Sequence, residues 1–335
     1  MMIFYWVFPF TIIATSYCCI LFSPSWSVLP YVWVLIIVPI LDLITPKLNK
    51  SEIYLQNTLG HNISLIAVVP AMHFLVFLSL LIINYNEITI LGALAIGLGT
   101  GVSGGAVGIT SAHELIHRRS KFMRGLGVSL LASCLYSHFR IEHIYGHHLH
   151  VATKKAPATA RKGESYYAFL IRCVIMSLIS SWKIERKMLI SKNLPVFGLK
   201  NRMIHYFIFH ILLLVFCYYF SGIKGLIFIF AHSTISVVLL ELVDYIQHYG
   251  LERKETKDKK AEPYNHSHSW NSRHSIADWS TFNLGLHSEH HTIASKPYPL
   301  LTQDEKIREM PANYPVMIIM ALIPPIWFKV IDPKL

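Results

Sequence analysis

The sequence predicts an all-α integral membrane protein: six transmembrane helices with a histidine-rich polar region on one side of the bilayer. Two numbers point there first, because 53% of the 335 residues are apolar and only 15% are charged, and the mean hydropathy is +0.44. A soluble chain carries about 25% charged residues. The third observation is placement. The apolar residues fall into long uncharged runs, and many of the 19 histidines gather in short segments beside the ends of those runs.

The spans follow in order as residues 2–22, 27–44, 63–84, 88–112, 203–221 and 225–245. Each approaches the roughly 20 residues that a crossing needs, the second with Asp42 at the interface. The first lacks the basic flank and small-residue cleavage site of a signal peptide and reads as a retained span. Two polar segments, 113–202 and 248–335, complete a single domain spanning residues 1–335. The apolar stretch 314–328 is short and broken by Pro324 and Pro325, so it reads as packed or interfacial. Gly99, Gly101 and Gly104 fit a dinucleotide-binding spacing, but they lie inside an apolar run, where small residues serve close helix packing.

The formal charge is +11. Lys and Arg crowd residues 118–202 and 253–308, whereas the turns at 23–27, 84–87 and 221–224 hold one Lys among them. With Lys47 and Lys50, this asymmetry puts both polar segments and both termini in the cytoplasm. Such residues beside a membrane favour anionic lipid headgroups, and nothing calls for nucleic acid. None of the five cysteines forms a C-x-x-C pair, which excludes a fused iron–sulfur module and a cysteine zinc site.

The histidines carry the chemistry. His113 and His117 end the fourth run; His143, His147 and His148 follow; His248 closes the sixth run; His287, His290 and His291 lie in the second polar segment. Residues three and four apart share a helix face. So His113 with His117, His143 with His147, and His287 with His290 and His291 each present nitrogens to one point, while His148 reaches a neighbouring one. That arrangement suits two metals. Neutral imidazole favours Fe, Zn, Cu or Ni over Mg or Mn. Glu114, Glu142 and Glu289 are expected to accept N–H bonds from the ligand rings, with a salt bridge as the alternative for Glu289. A zinc-protease reading of H-E-L-I-H uses two histidines and leaves seven idle. A metal transporter would need ionisable residues within the spans, which hold almost none.

At these residues the chain resembles the membrane alkane 1-monooxygenase family of the fatty acid desaturase-like superfamily, which includes xylene-type hydroxylases. The resemblance rests on His113 to Arg118, Glu142 to His148, and the tracts His150 to Thr153 and Pro157 to Ser165. It continues through His268 to Ser272, His287 to His291 and Ile323 to Lys334. It implies a six-helix fold with two non-haem irons held by the nine histidines named above, and O₂ as co-substrate. It also implies hydroxylation of a terminal methyl on an alkane or similar apolar molecule, with electrons from a rubredoxin and its NADH-linked reductase. Methyl-aromatic hydroxylation and lipid desaturation are the alternatives. The implied location is the bacterial inner membrane, with the active site on the cytoplasmic side. The chain departs from the alkane hydroxylase pattern at Asp244, Gln247, Gly285-Leu286 and Lys154-Lys155-Ala156, the last of which lacks the family's carboxylate. Asp278 and Asp244 are candidates to supply it.

Overall fold

The computed structural model describes residues 3–47, 58–258, 260–302 and 307–335; Lys50, one of the charges used for orientation, lies outside them. Among these residues six helices are long and apolar enough to cross a membrane. They are α1 (Phe4–Leu21), α2 (Pro24–Ile44), α3 (Thr58–Tyr85), α4 (Ile90–Ile116), α7 (Tyr166–Ile190) and α8 (Arg202–His248). Shorter helices fill the polar segments: α5 (Lys121–Ser133), α6 (residues 139–150), α9 (Ser275–Ser280), α10 (His287–Thr292), α11 (Tyr314–Ala321) and α12 (Pro324–Ile331). Trp270–Asn271 (β1) and Arg308–Glu309 (β2) pair as a two-residue parallel ladder.

Helix α8 is 47 residues long, with non-helical backbone at Ser221 and Gly222. A straight helix of that length would run about 70 Å. Yet Arg202 hydrogen-bonds to Tyr145 and His248 touches His287, both in the histidine region, while Ser221 donates to the carbonyl of Leu80. The break is therefore a reversal, made possible by the left-handed backbone of Gly222 at φ +57°.

Helix α7 lies inside a segment whose sequence reads as polar. It escapes notice because Arg172, Lys183, Glu185, Arg186 and Lys187 interrupt its apolar pattern. Its apolar face leaves Ile171, Ile175 and Ile179 exposed. The charged positions are spent locally: Arg172 pairs with Glu164 at 2.7 Å, and buried Glu185 with Arg202 at 2.5 Å.

The core of the bundle is α4 against the second half of α8, and glycine sets their separation. A Cβ on Gly97 would come within 2.5 Å of the Phe228 carbonyl, and one on Gly101 within 2.7 Å of the His232 carbonyl. Gly99 likewise faces the Ser27 backbone at 2.9 Å. These glycines are packing residues. Ser103 fixes α1 from the other side, donating to the Ile12 carbonyl at 3.0 Å.

Asp42, read as an interfacial residue, is buried instead. Its Oδ1 accepts the amides of Ile276 and Ala277, and Oδ2 accepts Asn313 Nδ2. It thus satisfies the open N-terminus of α9 and ties the second polar segment to α2. The C-terminal helices close the same side, with Trp327 fully buried against Tyr245 and Tyr249.

Adding one methyl should separate the two environments of glycine. Gly101→Ala should destabilise the detergent-solubilised protein by about 1–3 kcal/mol. Gly125→Ala, where a Cβ meets nothing within 4 Å, should leave the melting temperature unchanged or raise it.

Candidate metal centre

Nine histidines from α4, α6, α8 and α10 converge in two adjoining groups. His113, His117, His143, His148 and His290 form one, and His147, His248, His287 and His291 the other; within each group the donor atoms lie within 4.8 Å of one another. The remaining histidines join neither group.

This division differs from the one helical spacing predicts. His143 and His147 were expected together, but His148 joins His143 and His147 faces the second group. Residues 143–147 form a π-turn in which the His148 amide donates to the His143 carbonyl, five residues back. That wider turn sets the His148 ring edge-on to His143 with their Nε2 atoms 3.1 Å apart, while His147, its ring parallel to that of His143, turns its Nε2 to His291 at 3.1 Å. Likewise His290 separates from His287 and His291. A second π-turn, Gly104–Ile109, precedes His113. Such turns recur at functional sites because they re-aim side chains without ending the helix.

The nitrogen contacts have hydrogen-bond lengths but are too numerous per nitrogen to be ordinary hydrogen bonds. His143 Nε2 lies 3.0 Å from His117 Nε2 and 3.1 Å from His148 Nε2. In the other group His291 Nε2 is 3.1 Å from His147 Nε2 and 2.9 Å from His287 Nε2, itself 3.0 Å from His248 Nε2. A neutral ring nitrogen carries either one proton or one lone pair, so it cannot serve two such neighbours at once. Nε2 of His113 and of His290 are buried with no hydrogen-bond partner. Lone pairs crowded this way are stabilised by a shared cation. At a metal–nitrogen distance of about 2.1 Å, nitrogens at right angles sit about 3.0 Å apart and tetrahedral ones about 3.4 Å. The observed spacing and the five-donor group fit an octahedral-type ion better than tetrahedral zinc.

Electrostatics keep the rings ready to ligate. Burial, reinforced by neighbouring rings, holds His143, His147, His287, His290 and His291 well below the usual histidine range and His148 at about 3. They are neutral at pH 7.

Glu114 and Glu142 act differently from expectation, and Glu289 takes its alternative, an ion pair with Lys296. Among the described residues none accepts a hydrogen bond from a ring of either group. Glu114 pairs with Arg118 at 2.7 Å and accepts the Tyr298 amide, tying α4 to the segment after α10. Glu142 accepts from Ser180 on α7 at 3.3 Å, and burial raises its pKa to about 8. Glu289 accepts from His266, Lys296 and Thr302. On a helix whose ring face is committed to the centre, each carboxylate points outward and joins one element to another.

The residues that orient the rings carry weaker sequence signals. Asn271 Oδ1 accepts both the amide and the hydroxyl of Ser288, while its Nδ2 donates to the carbonyls of Ser269 and Arg308. It thereby fixes the start of α10, which carries three of the histidines. Ser269 Oγ lies 3.4 Å from His248 Nδ1. Of the sequence departures, Gln247 donates to Tyr314 Oη and the Leu284 carbonyl. Gly285 leaves room for Asp278, since a Cβ there would meet Asp278 Oδ1 at 2.0 Å. Burial and the neighbouring Asp42 carboxylate push Asp278 far above the carboxylate range. Among the described residues both carboxylate oxygens of Asp278 are buried without a hydrogen-bond partner, so it accepts none from a ring of the centre.

A small apolar cavity of about 70 Å³ lies between α1, α2, α4, α8 and α11, lined among others by Val34, Ala106, Leu239 and Ile318. Thr110, Thr281 and Leu284 line both this cavity and a smaller one, about 10 Å³, bordered by His113, His287 and His290. Apolar space among the membrane helices thus adjoins both histidine groups. Of the small residues of α4, Gly105 and Ala106 line the cavity, whereas Gly97 and Gly101 pack against α8.

A helical membrane bundle with imidazole clusters at one end defines a metal-dependent membrane oxidoreductase, and the fatty acid desaturase family profile matches residues 88–320. The chain is 38% identical to alkane 1-monooxygenase 1 of Pseudomonas aeruginosa over 291 residues, 87% of this chain and 74% of the relative. It is 32% identical to alkane 1-monooxygenase 2 of Alcanivorax borkumensis, over 92% and 82% of the two chains. With the xylene/toluene monooxygenase hydroxylase component of Pseudomonas putida it shares 29% identity over 67% of this chain and 59% of the relative. The chain belongs to the alkane 1-monooxygenase family, and it is a multi-pass membrane monooxygenase with a histidine metal site.

Two outcomes follow. Asn271→Ala should weaken metal affinity about 10–100-fold, the range for groups that orient ligands, read by metal analysis during chelator titration. Folding lowers the ring pKa values, so the unfolded chain binds more protons below about pH 6.5. The stability of metal-free protein should therefore be complete above about pH 6.5 and fall as the medium is acidified through the folded values, measured by thermal melts.

Proposed function

We propose that the protein hydroxylates the terminal methyl of an alkane or similar apolar molecule, RH + O₂ + 2e⁻ + 2H⁺ → ROH + H₂O, at a centre of two non-haem irons. His113, His117, His143, His148 and His290 would hold one ion, and His147, His248, His287 and His291 the other. When bound, the irons supply the means of activating O₂ and inserting one of its atoms into a C–H bond. The chain's own residues do the rest. The apolar cavity that adjoins the histidine groups at Thr110, Thr281 and Leu284 is the observation that carries the substrate reading, because it places hydrocarbon-like surroundings beside the centre and a bound substrate would widen it. Val34, Ala106, Leu239 and Ile318 provide contacts without hydrogen-bond donors, so selection is by length and shape. The buried rings exclude water from the reacting carbon.

Electrons would come from a rubredoxin with its NADH-linked reductase. The net charge of +11 supports an acidic donor, which basic loops would steer to its docking face. The same distribution of Lys and Arg supports an active site on the cytoplasmic face of a bacterial inner membrane.

Purified protein with a rubredoxin pair, NADH and a series of alkanes, fatty acids and methyl aromatics should yield primary alcohols. A double bond in the product would replace this reading by desaturation. His147→Ala should abolish hydroxylation and lower iron content. Ala106→Leu should narrow the cavity and shift preference to shorter or slimmer substrates at unchanged iron content, measured as the ratio of kcat/KM values along the series.

A further inference from the structure

A groove of about 460 Å³ lies on the opposite side of α5 from the apolar core, between α5, the start of α6 and the first half of α8. Four cations line it, Lys121, Arg124, Arg140 and Arg202, and no Asp or Glu does. Arg202 is neutralised by Glu185. The other three have no ion pair among the described residues. Arg124 donates to the carbonyls of Arg118 and Arg119, and Arg140 to Tyr206 Oη, while Arg140 Nε is buried without any partner. Three uncompensated cations repel one another, so the groove is arranged for an anion.

Its remaining walls are apolar. Along α5, Lys121 and Arg124 give way to Gly125, Val128 and Ala132 on one helix stripe; along α8, Arg202 gives way to Tyr206 and Phe209. Phe209 is 60% exposed and continues into the exposed row Phe207, Ile208, Ile211 and Leu212 of a helix apolar enough to span a membrane. Phe122, beside Lys121, is 68% exposed. A small soluble anion has no use for that apolar extension. A molecule with a phosphate at one end and a hydrocarbon chain at the other matches both parts.

We propose that this groove binds an anionic membrane phospholipid, its phosphate held by Lys121, Arg124 and Arg140 and an acyl chain lying along Val128, Ala132 and Phe209. Basic pockets between membrane helices are the setting in which such headgroups bind. The site is separate from the apolar cavity, with which it shares no lining residue.

The test uses the full chain in nanodiscs holding equal amounts of phosphatidylglycerol and phosphatidylcholine. Lipid retained after gentle detergent extraction is counted by native mass spectrometry. Phosphatidylglycerol should be retained in preference. Lys121→Gln with Arg124→Gln should lower its retention about 30-fold. Gly125→Leu, which leaves every charge in place and adds a side chain where a Cβ meets nothing within 4 Å, should also displace the lipid while the protein stays monodisperse and helical. Millimolar inorganic phosphate should not compete. Equal retention of the two lipids, unchanged retention in both variants, or displacement by phosphate alone would overturn the proposal.

Discussion

Nine imidazole rings, seven buried and two half-buried, aimed at two neighbouring points form the constraint on which the rest of the structure depends. Burying so many nitrogens with competing lone pairs costs free energy that packing cannot return, because each ring also displaces apolar contact. The arrangement persists because four elements are locked on every side. The glycines of α4 let α8 approach closely enough to bring His248 to the end occupied by His113. The reversal at Ser221 and Gly222 lets both ends of α8 return there. Asp42, Glu114 and Asn271 tether the second polar segment, whose helix α10 is too short to hold its own position.

The polar network around the centre therefore does structural work that a list of ligands would miss. Asp42, Glu114, Glu142 and Glu289 each join one element to another, and none spends a hydrogen bond on a ring of the centre. Gly285 and Asp278 are coupled in the same way, since the glycine is required by the acid that fills its place. The departure at Gly285 and the candidate acid Asp278 thus meet at one packing site.

Much of this was legible in the sequence. Long uncharged runs revealed the membrane helices, since hydrocarbon admits few alternatives to a helix, and the histidine segments revealed the site. Which histidines share a point was not legible, because helical spacing assumes 3.6 residues per turn and the π-turn at residues 143–147 breaks that assumption. Helix α7 was hidden by the charged residues on its polar side, whose partners Glu164 and Arg202 can be assigned only once the chain is folded. The roles of the glutamates depended on partners that only the fold brings near: Glu142 reaches α7, and Glu114 reaches the backbone of Tyr298, 184 residues away.

X-ray absorption at the iron edge of the purified, active protein is the most direct test of the central claim. Two irons per chain in a shell of nitrogen donors at about 2.1 Å, averaging four to five imidazoles each from the nine rings, is the expected result. A shell dominated by sulfur or carboxylate, or full activity in protein free of iron, would contradict it.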